Sequence, residues 1–172
     1  LRGIVIQSGN DASKAIAEQM AGSEAGFAKL MNAEAQRLGM THTQFVNPTG
    51  LPDPEHKSSA RDLAILARAI IRDSAEYYPI YAEHDFKYNG IKQGNRNALL
   101  YTDPTVDGLK TGHTAEAGYC LVTSSKRNDM RLISVILNTH SAQARADHTR
   151  TLLGWGFGSF EKAVPIQRSE EH

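Results

Sequence analysis

One cysteine in 172 residues, Cys120, rules out an internal disulfide and leaves no second thiol for a metal or redox motif. Set in the apolar stretch Tyr119-Cys120-Leu121-Val122, it is expected to be a small buried hydrophobe. Neither sign of charge is in excess: 19 Lys and Arg balance 19 Asp and Glu. A balanced chain lacks the basic face that nucleic-acid binding needs, so nucleic acid is not an expected partner. No apolar run approaches the ~20 residues of a membrane span, so any membrane attachment is expected from segments outside this sequence. The seven histidines show no His-Glu-x-x-His or comparable spacing, which argues against a metal site. There is also no initiator methionine and no signal-peptide layout. Leu1-Arg2-Gly3-Ile4-Val5-Ile6 starts like the middle of a helix, giving the expectation of a fragment whose preceding part lies on the N-terminal side.

What is present fits one domain, or one domain with a closely packed subdomain. The 40% of hydrophobic residues is enough for a real core. Helical spacing predicts a first helix over about 11–21 and a second over about 24–38, the latter between an N-capping Ser23 and a stop at Gly39. In the second helix Phe27, Leu30, Met31, Glu34 and Leu38 form a mostly apolar stripe expected to pack inward. Asn47-Pro48-Thr49-Gly50-Leu51-Pro52-Asp53-Pro54 reads as an irregular loop. A third helix is predicted from Ser59 to about Arg72, with Asp62 at the capping-box position.

From about His84 the period changes. Phe86, Tyr88 and Ile91 suggest one short strand. Residues 118–125 and 130–138 read as a hairpin joined by Lys126-Arg127-Asn128-Asp129. The second of these strands is apolar on both faces, so helices are expected on both sides of the sheet. Ser141 opens a last helix predicted to reach about Leu153.

Three short elements carry chemistry. Ser8-Gly9-Asn10 stands just before the first long helix, and Lys110-Thr111-Gly112 stands at a strand position after Val106-Asp107-Gly108-Leu109. Ser-x-Asn followed by Lys-Thr-Gly marks penicillin-binding proteins and serine β-lactamases. Together with Asn47-Pro48-Thr49-Gly50-Leu51, Ser58-Ser59-Ala60-Arg61-Asp62, Asn95-Arg96-Asn97, His113-Thr114 and Ala117-Gly118-Tyr119, they make the chain resemble the D-alanyl-D-alanine carboxypeptidases. These are the low-molecular-mass penicillin-binding proteins, and the resemblance runs from Leu1 to about Phe160. The third element, the nucleophile's Ser-x-x-Lys, has no counterpart in the expected place. Ser159-Phe160-Glu161-Lys162 follows Lys-Thr-Gly instead of preceding Ser-x-Asn, and is rejected as coincidence.

The resemblance implies an α+β fold: an antiparallel sheet flanked by helices, plus a helical subdomain, with the site in the cleft between them. Residues 1–163 would be the C-terminal part of the catalytic domain, helical over 1–83 and carrying strands and the final helix over 84–163. Residues 164–172 would begin a linker or tail. Of five implied strands the chain would hold the last three, leaving 130–138 an open edge. The implied activity is removal of the terminal D-alanine from peptidoglycan pentapeptide through an acyl-enzyme, inhibited by β-lactams, without a cofactor, on the periplasmic face of the inner membrane. The nucleophile would come from the preceding segment, as the same chain or as a separate or swapped one.

In this chemistry Ser8 would relay a proton to the leaving amine. Asn10 would orient the substrate backbone through its amide. Lys110 would supply a fixed positive charge. Thr111, Gly112 and His113 would bind the substrate, Thr111 offering its hydroxyl to the free carboxylate and the His113 backbone N–H serving the oxyanion hole. Arg145 and Arg96 would take the substrate's free carboxylate. The same residues fit plainer roles: Ser8 and Asn10 as a helix N-cap pair, Arg96 as a structural ion-pair residue, Arg145 as a solvated helix-face arginine. Rival functions are a serine β-lactamase, for which no activating Glu is found between Asn47 and Asp62, and a non-catalytic cell-wall-binding pseudoenzyme.

Overall fold

Three serines begin three of the helices. Ser23 Oγ accepts from Gly26 N at 2.9 Å, Ser59 Oγ from Asp62 N at 3.2 Å and Ser141 Oγ from Ala144 N at 3.0 Å. Each satisfies one of the amides that a helix start leaves unpaired, worth about 1 kcal/mol. In the computed structural model, which describes residues 1–163, they head α3 (Glu24–Leu38), α4 (Ala60–Asp73) and α6 (Ala142–Ser159). Before them come the short α1 (Arg2–Val5) and α2 (Asn10–Ala21). Gly39, at φ 79°, ends α3, and Met40 N closes back on Ala35 O at 2.9 Å with its own side chain buried. The expected tail 164–172 lies outside the described residues.

The α3 stripe is not the one its large residues suggest. Ala28 and Ala35 are buried, whereas Leu30 is half exposed and Glu34 pairs with Arg37 at the surface. Small residues form the seam, with Ala17 of α2 equally buried, and they let α3 approach its neighbours closely. At the start of α4 the capping box is half built. Ser59 receives the Asp62 amide, but the Asp62 carboxylate turns away to His42 N (2.8 Å) and Thr43 Oγ1 (2.7 Å). It ties the loop after α3 to α4 instead of completing the box.

After α4 a 3₁₀ turn (Tyr78–Ala82) leads into the strands. The single strand expected near 86–91 is a two-stranded ribbon, β1 (Asp85–Tyr88) against β2 (Ile91–Gly94). Asn89 and Gly90, both at positive φ, supply the tight turn that the apolar spacing alone hides. A short α5 (Leu99–Thr102) precedes the main antiparallel sheet, ordered β3 (Val106–Thr114), β4 (Gly118–Arg127), β5 (Met130–Thr139). The β4–β5 turn is two residues, Asn128 and Asp129, both left-handed, so β4 runs two residues closer to the tip than expected, while β5 starts at Met130 as expected. Among the described residues β5 pairs only with β4.

Helices cover both faces, as the two-sided apolar pattern of β5 requires. On one face Leu121 and Leu132 pack with Ala146, Leu153 and Phe157 of α6. On the other, Leu109, Val122 and Ile133 meet Ala67, Ile70 and Ile71 of α4 and the rings of Tyr78 and Tyr81. Full burial of each large aliphatic side chain contributes about 1.5–3 kcal/mol. Helix α6 runs to Ser159, six residues past its expected end. Gly156, inside that extension, is a docking point: a Cβ there would stand 2.7 Å from Leu132 Cδ1. The fold is thus the mixed α+β arrangement expected. No helix among the described residues is long and apolar enough to cross a membrane.

Candidate active site

The chain leaves α1 through a left-handed residue, Ser8, at φ 62°. Two backbone bonds hold it there, Ser8 N to Ile4 O at 3.1 Å and Gly9 N to Gly3 O at 3.0 Å. A non-glycine residue in this region carries about 1–2 kcal/mol of strain, borne here by the residue whose hydroxyl the site uses. Across the cleft β3 presents Lys110, and its ammonium donates to Ser8 Oγ at 2.6 Å and to Thr111 O at 2.9 Å. Residues 102 positions apart thereby share one hydrogen bond. Burial, then the neighbouring charges of Arg96 and Arg145, push the Lys110 ammonium down to a pKa of about 8.

Beside this pair opens a cavity of about 310 Å³ lined by Ser8, Arg96, Thr111, Gly112, His113, Tyr119 and Arg145. None of these lining residues is a carboxylate. Arg145 is buried at 7% exposure, so it is not the solvated helix-face residue that its position near the start of α6 allowed. Its guanidinium reaches three carbonyls from three segments: Gly112 O (3.4 Å), Cys120 O (3.5 Å) and Arg96 O (3.3 Å). Burial, above the other influences, lowers its pKa. A buried cation satisfied only by neutral oxygens in a cavity without acids has room for an anion.

Arg96 is exposed at the cavity rim and has no ion-pair partner among the described residues. The loop carrying it is fixed by two amides. Asn95 Nδ2 donates to Glu83 O at 3.0 Å, and Asn97, fully buried, accepts from Leu99 N at 3.1 Å while donating to Gly108 O at 3.4 Å. Asn10 stands apart. It is the exposed first residue of α2, it does not line the cavity, and the helix start is capped by Gly9 without any side-chain bond from Ser8 or Asn10. The N-cap reading of that pair therefore fails.

Cys120 is half-buried, not core: its thiol donates to Ala117 O at 3.3 Å and its sulfur receives Asn138 N at 3.5 Å. Tyr119, which none of the three sequence elements singles out, also lines the cavity. The signal lay in the hairpin register, which sets Tyr119 directly across from His113.

Comparison with known proteins agrees with this geometry. A family model described as D-alanyl-D-alanine carboxypeptidase matches residues 1–141. The chain is 47% identical over 173 residues to the D-alanyl-D-alanine carboxypeptidase DacA of Haemophilus influenzae, covering 99% of this chain and 44% of that protein. Among solved structures, penicillin-binding protein 5 of Haemophilus influenzae superposes with a TM-score of 0.89 at 48% identity, covering 91% of this chain and 46% of that one. Penicillin-binding protein D2 of Listeria monocytogenes, in its cefotaxime-bound form, does so with a TM-score of 0.83 at 33% identity, covering 91% and 64%. The chain spans about half the length of the curated relatives it matches.

Proposed function

The chain belongs to the D-alanyl-D-alanine carboxypeptidase family, and from that premise we propose that its protein is a serine-type, β-lactam-sensitive enzyme of the bacterial cell envelope. It removes the terminal D-alanine of peptidoglycan pentapeptide on the periplasmic face of the inner membrane. The observation that carries this reading is the 2.6 Å hydrogen bond from Lys110 to Ser8, set beside a cavity lined by arginines and no acids.

The residues divide the work. A serine of a Ser-x-x-Lys element outside these 172 residues attacks the peptide carbonyl and loses its proton to a nearby base. Ser8, held by Lys110, passes a proton to the departing D-alanine amine. Lys110, cationic below about pH 8, stabilises the charge that develops during attack. Thr111, Arg96 and Arg145 receive the substrate's terminal carboxylate, Thr111 by its hydroxyl and the arginines by charge. Gly112 and the His113 main chain lie along the acyl group, and the His113 N–H donates to the oxyanion. Asn10 lies outside the cavity of this structure, so its part is limited to the substrate's distal backbone. The test is made on the full-length protein. D-alanine release from a pentapeptide, with a penicillin adduct mapped by mass to a serine outside residues 1–172, is expected. An adduct on Ser8 or Ser159, or no D-alanine release, overturns the reading.

A further inference from the structure

Tyr119 occupies a position that the three chemistry-bearing elements do not explain. It is the cross-strand partner of His113 in the β3–β4 ladder, and the two rings lie 3.9 Å apart between centroids at 32° between planes. The same ring meets the Arg145 guanidinium at 5.6 Å from its centroid. One aromatic ring therefore serves an arginine from α6 and a histidine from β3, both of which line the cavity.

Three features hold the ring there. Gly118, at φ 65°, turns the chain into β4 with backbone so close that a Cβ would stand 2.9 Å from both Asn138 Oδ1 and Thr139 O. The ladder with β5 is irregular between Tyr119 and Leu121, which breaks the simple alternation of faces at this residue. The Tyr119 carbonyl is pinned by Thr139 Oγ1 at 2.9 Å. The ring is thus placed by its backbone, and Arg145 and His113 lean on it.

We propose that Tyr119 is a positioning residue that sets the enzyme's preference for a free carboxylate: its ring holds the Arg145 guanidinium at the angle from which it meets the substrate anion. The physical reason is that the carbonyl contacts of Arg145 are long, 3.3–3.5 Å, and fix the guanidinium loosely. A ring beneath a planar cation restricts its rocking, and a half-buried ring also displaces water that would screen the charge. Without it the guanidinium keeps its carbonyls but loses its aim.

This inference rests on the carboxylate-pocket reading above, so the experiment separates the two. In the full-length enzyme, kcat and KM are measured for a peptide ending in a free carboxylate and for the same peptide capped as its amide. Wild type must prefer the acid; without that preference the pocket reading fails, and this inference with it. Given the preference, Tyr119→Leu is expected to raise KM on the acid about tenfold with a smaller change in kcat, and to lose only a few-fold on the amide. Tyr119→Phe, which keeps the ring, restores most of the acid preference. Should Tyr119→Leu unfold, shown by circular dichroism, Tyr119→Met and Tyr119→His are compared in its place, the histidine retaining an aromatic face. Equal losses on acid and amide, a loss confined to kcat, or a Phe variant as impaired as the non-aromatic one would each overturn the assignment.

Discussion

Thr43 donates its hydroxyl to the Asp62 carboxylate at 2.7 Å, where the capping-box spacing would have sent that carboxylate back to the start of its own helix. The bond from Thr43, aided by the His42 amide, holds the Asp62 carboxyl below the ordinary aspartate range. A carboxyl whose pKa is depressed by folding contributes stability above its unfolded value, near about 4, and that contribution drains away as pH falls through the folded value. The difference in Tm between wild type and Asp62→Asn should therefore be full near neutral pH and shrink below about pH 4. A pH-independent difference would show that the carboxylate's charge does not contribute.

The Lys110 ammonium titrates in the range where the enzyme can be assayed. It is cationic below about 8 and neutral above, because burial and the nearby arginines oppose its charge. Catalysis that uses the cation should decline as pH rises through about 8, in a profile of kcat/KM for the full-length enzyme. Lys110→Ala and Ser8→Ala should each slow turnover by more than about tenfold with the fold intact. Lys110→Arg should move the alkaline limb upward, since a guanidinium stays charged. Ser159→Ala, at the end of α6, should not change the rate.

Arg145 braces three carbonyls and is proposed to receive the carboxylate, and its variants should separate the two. Arg145→Ala strands three carbonyls and should lower Tm as well as activity. Its activity loss should be greater on a free acid than on the amide, by about 2–5 kcal/mol in transition-state binding if the guanidinium meets a shielded carboxylate. Equal losses would leave it only the bracing duty.

Two glycines of α6, two residues apart, should respond oppositely to alanine. Gly156→Ala drives a methyl into Leu132 and should cost about 1–3 kcal/mol. Gly154→Ala meets nothing within 4 Å and should gain up to about 1 kcal/mol from helix propensity. Thermal melts of the two variants decide it.

What the sequence made legible was local. The caps at Ser23, Ser59 and Ser141, the stop at Gly39 and the apolar β4–β5 pair are each set by residues a few positions apart, and they stand where expected. What it hid depended on distant partners. The end of α6 was obscured because Gly156 answers to Leu132, and the buried seam of α3 because Ala28 and Ala35 outrank the larger Leu30 once close packing is possible. In the site, Ser8 and Lys110 are brought together and Asn10 is left aside, a distinction invisible in a tripeptide. Arg145 could not be placed from spacing, because its surroundings are carbonyls, which every residue possesses. Tyr119 went unnoticed for a similar reason, since its importance lies in a hairpin register.

The bond between Ser8 and Lys110 also fixes an order of events. Ser8 leaves the ribosome about a hundred residues before Lys110, and the chain between them must close a long loop before the two can meet. The helices of the first half can form from neighbours alone, but the strand partner of β3 among the described residues, β4, is made after it. The contact between Ser8 and Lys110 is therefore acquired late in synthesis. A chain that ends before Lys110 has no ammonium at the serine's side. In the function proposed above, activity belongs to the finished molecule, acquired when the sheet closes and withheld from every shorter precursor.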